Sequence, residues 1–106
     1  TLDPTNVDAI INLGRILQLE GDLKMAKQAY ERGLSLNPRH ELANYNLGTI
    51  FDELDETSIA SSYYEKAPNV PDAHYNLARL KELAGDQVSA KRHLQLYKEL
   101  VELETF

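Results

Sequence analysis

The chain has 106 residues, a net charge of −6 and no cysteine. Such a length suits one domain with a single continuous core, and the negative charge disfavours nucleic acid as a partner. Without thiols the chain can form neither disulfides nor thiolate metal sites, and no apolar run approaches the length of a membrane span, so no membrane partner is expected. These properties do not determine the compartment, although a cytoplasmic one is favoured.

The first predicted elements are two helices separated by a turn. Apolar residues recur at helical spacing over residues 6–20 and again over residues 23–36, which predicts a pair of amphipathic helices. Between them, Gly21 can adopt the left-handed backbone conformation that ends a helix, and Asp22 can accept hydrogen bonds from the free amides of the next one. These residues therefore predict a helical hairpin.

Further along the chain, two segments occupy the same turn position. An Ala-Gly-Asp segment at 84–86 repeats the glycine turn, whereas Leu-Asp-Glu-Thr stands in its place in the middle of the chain. There Asp55 or Glu56 occupies the glycine position, and a turn made by a residue with a side chain costs more free energy. Three hairpins are therefore predicted, the second with the least favourable turn.

An internal repeat relates these hairpins to one another. Five residues near the start recur 34 residues later, and a period of 34 residues built from helix pairs is typical of arrays in which each hairpin buries its apolar face on the next. The five are Leu2, Pro4, Asn12, Leu13 and Gly14, which recur at Leu36, Pro38, Asn46, Leu47 and Gly48.

These columns resemble the pattern of the tetratricopeptide repeat family, in which a large residue precedes Leu-Gly and an alanine followed by an aromatic residue precedes a proline. The first unit fits this pattern without a tryptophan, the second lacks the closing proline in its place, and the third is the weakest copy. The matched residues are Ile10, Leu13, Gly14, Leu17, Ala26, Tyr30 and Pro38, then Asn44, Leu47, Gly48, Phe51, Ala60 and Tyr64, then His74, Leu77, Ala78, Lys81, Ala90 and Leu94.

The resemblance implies an all-α fold, a right-handed superhelix of about three helix-turn-helix repeats in a single domain over residues 1–106. The repeats are expected at about 7–40, 41–70 and 71–104, and residues 1–6 match the tail of a preceding partial repeat. The last helix has neither glycine nor proline between Ser89 and Glu104. It is therefore expected to be extended as a cap.

Small residues are expected to pair within each hairpin. Glycine inside a helix costs about 1 kcal/mol relative to alanine, so its placement asks for a packing reason. If each hairpin closes as in the family, close approach of the two helix axes supplies that reason. The expected pairs are Gly14 with Ala26, Gly48 with Ala60, and Ala78 with Ala90.

The junction between the second and third units is four residues shorter than the one before it. Tyr30 to Leu47 is 17 residues, whereas Tyr64 to Leu77 is 13, and the difference is about one helical turn. Either the helix ends a turn early at Pro68, which forbids its continuation, or a few residues are missing from the sequence. We favour the second explanation, because Tyr-Glu-Lys-Ala normally continues through two more apolar residues that seal the junction.

In arrays of this family, the first helix of each unit lines a concave groove in which ligands usually lie. An asparagine precedes the leucine of every unit, and the three amides would form a ladder that can hold the main chain of an extended ligand. A similar ladder lies in the repeat superhelix of O-linked N-acetylglucosamine transferases. Aromatic and arginine side chains beside it are typical of binding hot spots. The predicted peptide-binding residues are Asn12, Asn46, Asn76, Arg15, Arg79, Tyr45, Tyr75, Ile11, Thr49 and Asp72.

These residues also have plainer interpretations. Asparagine is common in the groove of the family at large, and Tyr45 and Tyr75 could simply pack against neighbouring helices. Acidic residues outnumber the two arginines of the groove, which favours a ligand with some positive charge. The carboxylate clamp of chaperone-binding members is not reproduced, because only Asn46 matches its five columns, so an acidic chaperone tail is not an expected partner.

Nothing in the sequence supports an enzyme or a cofactor. His40, His74 and His93 are far apart and lack the spacing of a metal site, so we expect surface or partly packed side chains. The serines at 58, 61 and 62 lie near no candidate base, and no glycine-rich phosphate loop is present.

The predicted function is a protein–protein interaction scaffold that binds a peptide or protein segment in its groove, as a monomer or with weak self-association. Two alternatives stay open. One is a module whose copies associate into an array, and the other is a recruiting domain cut from a larger enzyme or bacterial regulator.

Overall fold

The computed structural model describes residues 5–105, which contain six α-helices and no strand. Each helix packs on its neighbours along the chain, and contacts are most extensive within the pairs α1–α2, α3–α4 and α5–α6. The chain is therefore an array of three helical hairpins, as predicted. The partial repeat expected at residues 1–6 falls mostly outside the described residues. The helices are α1 (Val7–Leu19), α2 (Leu23–Leu36), α3 (Glu41–Glu53), α4 (Thr57–Glu65), α5 (Pro71–Leu83) and α6 (Gln87–Glu104).

Short polar side chains begin three of these six helices, α1, α2 and α6. Asn6, Asp22 and Asp86 each accept a hydrogen bond from the backbone amide three residues later, at 3.1–3.2 Å, which satisfies a donor that the first helical turn leaves free. The backbone and hydroxyl of Ser89 hold the pKa of the Asp86 carboxyl below its usual value. The capping role predicted for Asp22 is therefore confirmed.

The turns within the hairpins use a left-handed residue. Gly21 and Gly85 have φ angles of 84° and 83°, and Asp55 takes the same role in the second hairpin with a φ of 59°. Between the two residues that the sequence left open, Asp55 and not Glu56 makes the turn. A side chain in this conformation is strained relative to glycine, so the second hairpin has the least favourable turn.

The core runs along the whole array. Each hairpin contributes side chains with almost no exposure, and the same columns recur from one hairpin to the next. Because neighbouring hairpins share this core, each one buries apolar surface that it could not bury alone. The largest fully buried hydrophobic side chains are Ile11, Tyr30, Leu47, Ile50, Tyr64 and Leu77.

The helical glycines make room for tyrosine rings, which corrects the predicted glycine–alanine pairing. A Cβ added at Gly14 would lie 2.6 Å from Cε1 of Tyr30, and one added at Gly48 would lie 2.7 Å from Cδ1 of Tyr64. The nearest side chain across each hairpin is thus an aromatic ring one turn beyond the predicted alanine. Close helix approach is the reason for the glycines, but the ring sets the distance.

The short junction is formed by an early end of α4. This helix stops at Glu65, and backbone hydrogen bonds from Ala67 to Tyr64 and from Val70 to Ala67 lead directly into α5. Ala67 is fully buried and seals the junction in place of the expected further apolar residues. With the residues of this sequence, the junction follows the first of the two explanations, an early end of α4.

Candidate functional site

The first helices of the three hairpins, α1, α3 and α5, meet along one face, which we call the groove face. Between α1 and α3, Gln18 Nε2 donates to Thr49 Oγ1 at 2.8 Å, and the hydroxyl of Tyr30 donates to Gln18 Oε1 at 2.9 Å. Burial raises the pKa of Tyr30 to about 12, against the opposing charge of Arg15. The buried tyrosine thus fixes the glutamine that connects the first two hairpins.

Charged side chains at the equivalent repeat positions connect the second and third hairpins. The Tyr64 hydroxyl donates to Asp52 Oδ2 at 2.9 Å, and Arg79 pairs with the same carboxylate oxygen. Burial and the neighbouring Asp52 carboxylate raise the pKa of Tyr64. Arg79 is therefore held by the protein itself, so its predicted role as a binder of ligand carboxylates would compete with Asp52.

Asn46 lies at the floor of a depression of about 320 Å³ between the first two hairpins. It is 8% exposed, and its Nδ2 has no hydrogen-bond partner within the described residues. A buried donor without a partner costs about 1–3 kcal/mol, so an incoming acceptor here would recover free energy. The walls of the depression are Arg15, Gln18, Leu19, Tyr45, Thr49 and Glu53.

The other predicted residues are not equally available. Asn76 lies close enough to the Tyr45 hydroxyl to lower its pKa, so two side chains predicted to bind a ligand are neighbours across the second junction. Burial and then the Asp72 carboxylate raise the pKa of Tyr45. Asn12 is exposed on α1. The three asparagines thus occupy equivalent positions, but they do not form a uniform ladder of free amides.

Ile11 is the one predicted groove residue that the structure removes from the surface. Its side chain is 1% exposed and lies under Gly33, where it packs in the core between the first two hairpins. The prediction that Ile11 lines the groove is therefore wrong, because its side chain is buried against α2. Tyr75, in the corresponding position of the third hairpin, is 52% exposed and contacts Tyr97, with ring centroids 5.4 Å apart.

His74 and His93 form a buried polar pair that no local sequence pattern predicts. Their Nδ1 atoms are 3.0 Å apart, and Nε2 of His74 donates to the carbonyl of Pro68 at 2.8 Å. This leaves Nδ1 of His74 as the acceptor and Nδ1–H of His93 as the donor. Burial, and then the neighbouring His74, lower the pKa of His93. The spacing of 19 residues is longer than any local motif, so only the hairpin geometry brings the two rings together.

Within residues 5–105, no three histidine, aspartate or glutamate side chains cluster closely enough to hold a metal ion. Over the same residues, no helix combines the length and the apolar character needed to cross a bilayer. The groove face is acidic: Asp52 is paired to Arg79 and Asp8 contacts His40 Nε2 at 3.2 Å, while the exposed carboxylates of Glu53, Asp72 and Glu82 remain.

Stacked helical hairpins with a polar face along their first helices define the chain as an α-solenoid with the fold of a protein-interaction scaffold. Comparison with known proteins shows what parts of the chain are similar to. Residues 7–40 match the model of the tetratricopeptide repeat. The human Tetratricopeptide repeat protein 6 is 33% identical over 63 residues, which are 59% of this chain and 12% of that protein. The first hairpin is thus similar to a tetratricopeptide repeat, and more than half of the chain is similar to a tetratricopeptide repeat protein.

Solved structures of MamA share the fold along nearly the whole chain. One is 26% identical with a TM-score of 0.85, and the match covers 98% of this chain and 63% of that MamA chain. A second is also 26% identical with a TM-score of 0.80, and the match covers 98% of this chain and 59% of that MamA chain. The chain thus spans less than two thirds of the MamA chains and about an eighth of the human protein.

Proposed function

We propose that the groove face binds an extended segment of a partner protein, with its main chain over the depression between the first two hairpins. The observation that carries the proposal is the buried Asn46 Nδ2 without a hydrogen-bond partner. A main-chain carbonyl of a ligand is the acceptor that this amide lacks, and the amide oxygen can accept from the next peptide group. Asn12, exposed on the neighbouring helix, continues the contact.

Side-chain contacts of the ligand are assigned to the residues around this depression. Tyr45 and Thr49 form its walls on α3, and Arg15 lies on its α1 side. Toward the third hairpin, Tyr75 offers an exposed ring, and Asp72 offers a carboxylate. Asn76 and Arg79 would contribute only by exchanging their present partners.

The charge of the groove face favours a basic segment. Its exposed carboxylates outnumber its arginines, one of which is already paired, so lysine or arginine side chains of a ligand would be attracted. Each neutral hydrogen bond contributes only about 0.5–1.5 kcal/mol net, which suits an affinity in the micromolar range (roughly 8 kcal/mol) for so small a surface. Affinity should fall as salt is added, because exposed charges are screened.

A display library of random peptides, selected on the immobilised chain, tests the proposal. Selected peptides should be rich in lysine and arginine, and they should perturb backbone NMR resonances of α1, α3 and α5 more than those of α2, α4 and α6. Asn46→Ala should weaken their binding about two- to tenfold, in line with the loss of one hydrogen bond. Asn37→Ala, an exposed asparagine after α2, is the matched control and should leave binding unchanged. Perturbations confined to the second helices would refute the proposed site.

A further inference from the structure

The last residues of α1, α3 and α5 form an exposed row along one edge of the groove face, which we call the rim row. It consists of Leu19, Glu53 and Leu83, which hold equivalent positions in the three hairpins. Leu19 is 84% and Leu83 is 75% exposed, and Glu53 is exposed as well. Single exposed leucines are common on protein surfaces, but these two recur at one repeat position and contribute almost no burial to the core.

The exposure of the rim row belongs to this repeat position and not to the ends of the array. Glu53 lies in the middle hairpin, which packs on a hairpin at each side, and it is still exposed. Leu19 is exposed beside the hairpin that follows it, and Leu83 is exposed beside the hairpin that precedes it. Further repeats stacked in the same way would therefore leave both leucines accessible.

The rim row lies beside the asparagines of the groove face. Asn46 and Glu53 are seven residues apart on α3, which is two helical turns or about 10 Å, so they share one face of the helix. Leu19, Glu53 and the buried Asn46 line the same depression between the first two hairpins. Side chains on a helix tilt toward its N-terminus, which is the direction of Asn46. A long side chain of a ligand whose main chain lies over Asn46 therefore reaches the rim row.

The centre of the rim row is negative, and its two flanks are apolar. The Glu53 carboxylate is exposed and has no ion pair among residues 5–105. The last turns of α1 and α3 contain no basic residue, so the partial negative charge at these helix ends adds to that of Glu53. A lysine or arginine can pair its charged head with Glu53 and lay its aliphatic stem along Leu19.

We propose that the rim row selects a partner segment in which a lysine or arginine stands between two apolar residues. Glu53 pairs with the basic side chain, and Leu19 and Leu83 contact the apolar side chains and leave water with them. The inference rests on the proposed binding of an extended segment and adds the side chains that such a segment carries. The order apolar, basic, apolar is the same in both chain directions, so it applies to either orientation of the ligand.

The apolar contacts are tested with peptides selected from the random library on the unmodified chain. These peptides should be enriched in the order apolar, basic, apolar. Leu19→Gln and Leu83→Gln should each weaken their binding about five- to tenfold in calorimetric titration, because each removes an apolar contact. Leu103→Gln is the matched control, since Leu103 is 71% exposed on α6, a second helix, and its binding should be unchanged.

The charge contact is tested by repeating the selection on Glu53→Lys. The basic residue at the centre of the selected order should be replaced by aspartate or glutamate, because the variant places a positive charge opposite it. Glu31→Lys makes the same change of charge at an exposed position of α2. A selection on this control should return the order found with the unmodified chain.

These measurements separate the rim row from the proposed groove binding. The rim row would be overturned, and groove binding kept, by peptides that perturb the first helices and depend on Asn46 but ignore all three rim substitutions. Weaker binding to the rim variants together with unchanged binding to Asn46→Ala would support the rim row and refute the main-chain contact at Asn46. A selection that yields no peptide perturbing α1, α3 and α5 would overturn both.

Discussion

Replacing Gly48 by alanine tests the contact that sets the distance between α3 and α4. Alanine is favoured over glycine in a helix interior by about 1 kcal/mol, so helix propensity alone would make the variant more stable. The new Cβ would lie 2.7 Å from two ring carbons of Tyr64, whereas nonbonded carbons prefer about 3.5–4.0 Å. Because Tyr64 is 1% exposed, its ring has no open space to move into.

The ring or the helix therefore has to move by roughly 1 Å to admit the methyl group. Overpacking of this kind costs about 1–3 kcal/mol, and we expect Gly48→Ala to lower the free energy of unfolding by an amount in that range. For a domain of about 100 residues, 1 kcal/mol corresponds to a shift of roughly 4–8 °C in melting temperature. Thermal or urea unfolding followed by circular dichroism resolves such a change.

The third hairpin shows how the contact can be relieved, because Ala78 and Leu94 occupy the positions of Gly48 and Tyr64. Tyr64→Leu alone should destabilise the chain by leaving a cavity. The double variant, Gly48→Ala with Tyr64→Leu, should lose less free energy of unfolding than the two single variants lose together, with a coupling energy of about 0.5–3 kcal/mol. Ala78→Gly, with leucine opposite, should lose only the ordinary helix propensity of about 1 kcal/mol. The contact between Gly48 and the Tyr64 ring would be refuted by a Gly48→Ala variant as stable as the unmodified chain. It would also be refuted if the effects of Gly48→Ala and Tyr64→Leu on the free energy of unfolding were strictly additive.

Three further substitutions or conditions have expected outcomes. Asp55→Gly should raise the free energy of unfolding by about 1 kcal/mol, because it removes a left-handed side chain; an unchanged urea midpoint would contradict this. Tyr64→Phe should cost about 1.5–3 kcal/mol, since its hydroxyl bonds a carboxylate, whereas Tyr30→Phe should cost about 0.5–1.5 kcal/mol for a bond to an amide; equal losses would contradict the assignment. The lowered pKa of His93 means that its stabilising effect is complete above the unfolded pKa of about 6.5 and is lost as pH falls through the folded pKa. Melting temperature should thus fall between pH 7.5 and pH 5.5, and less so in His93→Gln; equal slopes would contradict it.

The fold could be predicted because its signals are local and repeated. Gly21 and Asp22 mark a turn within a few residues of chain, and the offset of 34 residues repeats each such signal. Helix bounds follow from the same patterns, since apolar spacing and capping residues act over one or two turns. The structure of the short junction at Ala67 did not follow from the pattern of the first junction, because a small buried residue closes the second in a different way.

The site could be predicted only as a set of equivalent positions in the three repeats. Contacts between hairpins decide which of these side chains are free to bind a ligand. No local pattern shows that Asn76 lies next to Tyr45 or that Ile11 is buried. The His74–His93 contact was missed for the same reason. Such contacts depend on the distance and angle between helices, and side chains far apart in sequence determine both.

The two junctions use the same columns with different chemistry, and this difference bears on where a ligand would bind. The bond between Gln18 and Thr49 is neutral and nearly insensitive to salt, whereas the ion pair between Asp52 and Arg79 is partly exposed on the arginine side and weakens as salt screens it. Salt should therefore weaken the contact between Asp52 and Arg79 more than the bond between Gln18 and Thr49. The depression over Asn46 is lined by both Gln18 and Thr49, so a neutral bond that salt affects little holds part of the proposed binding site.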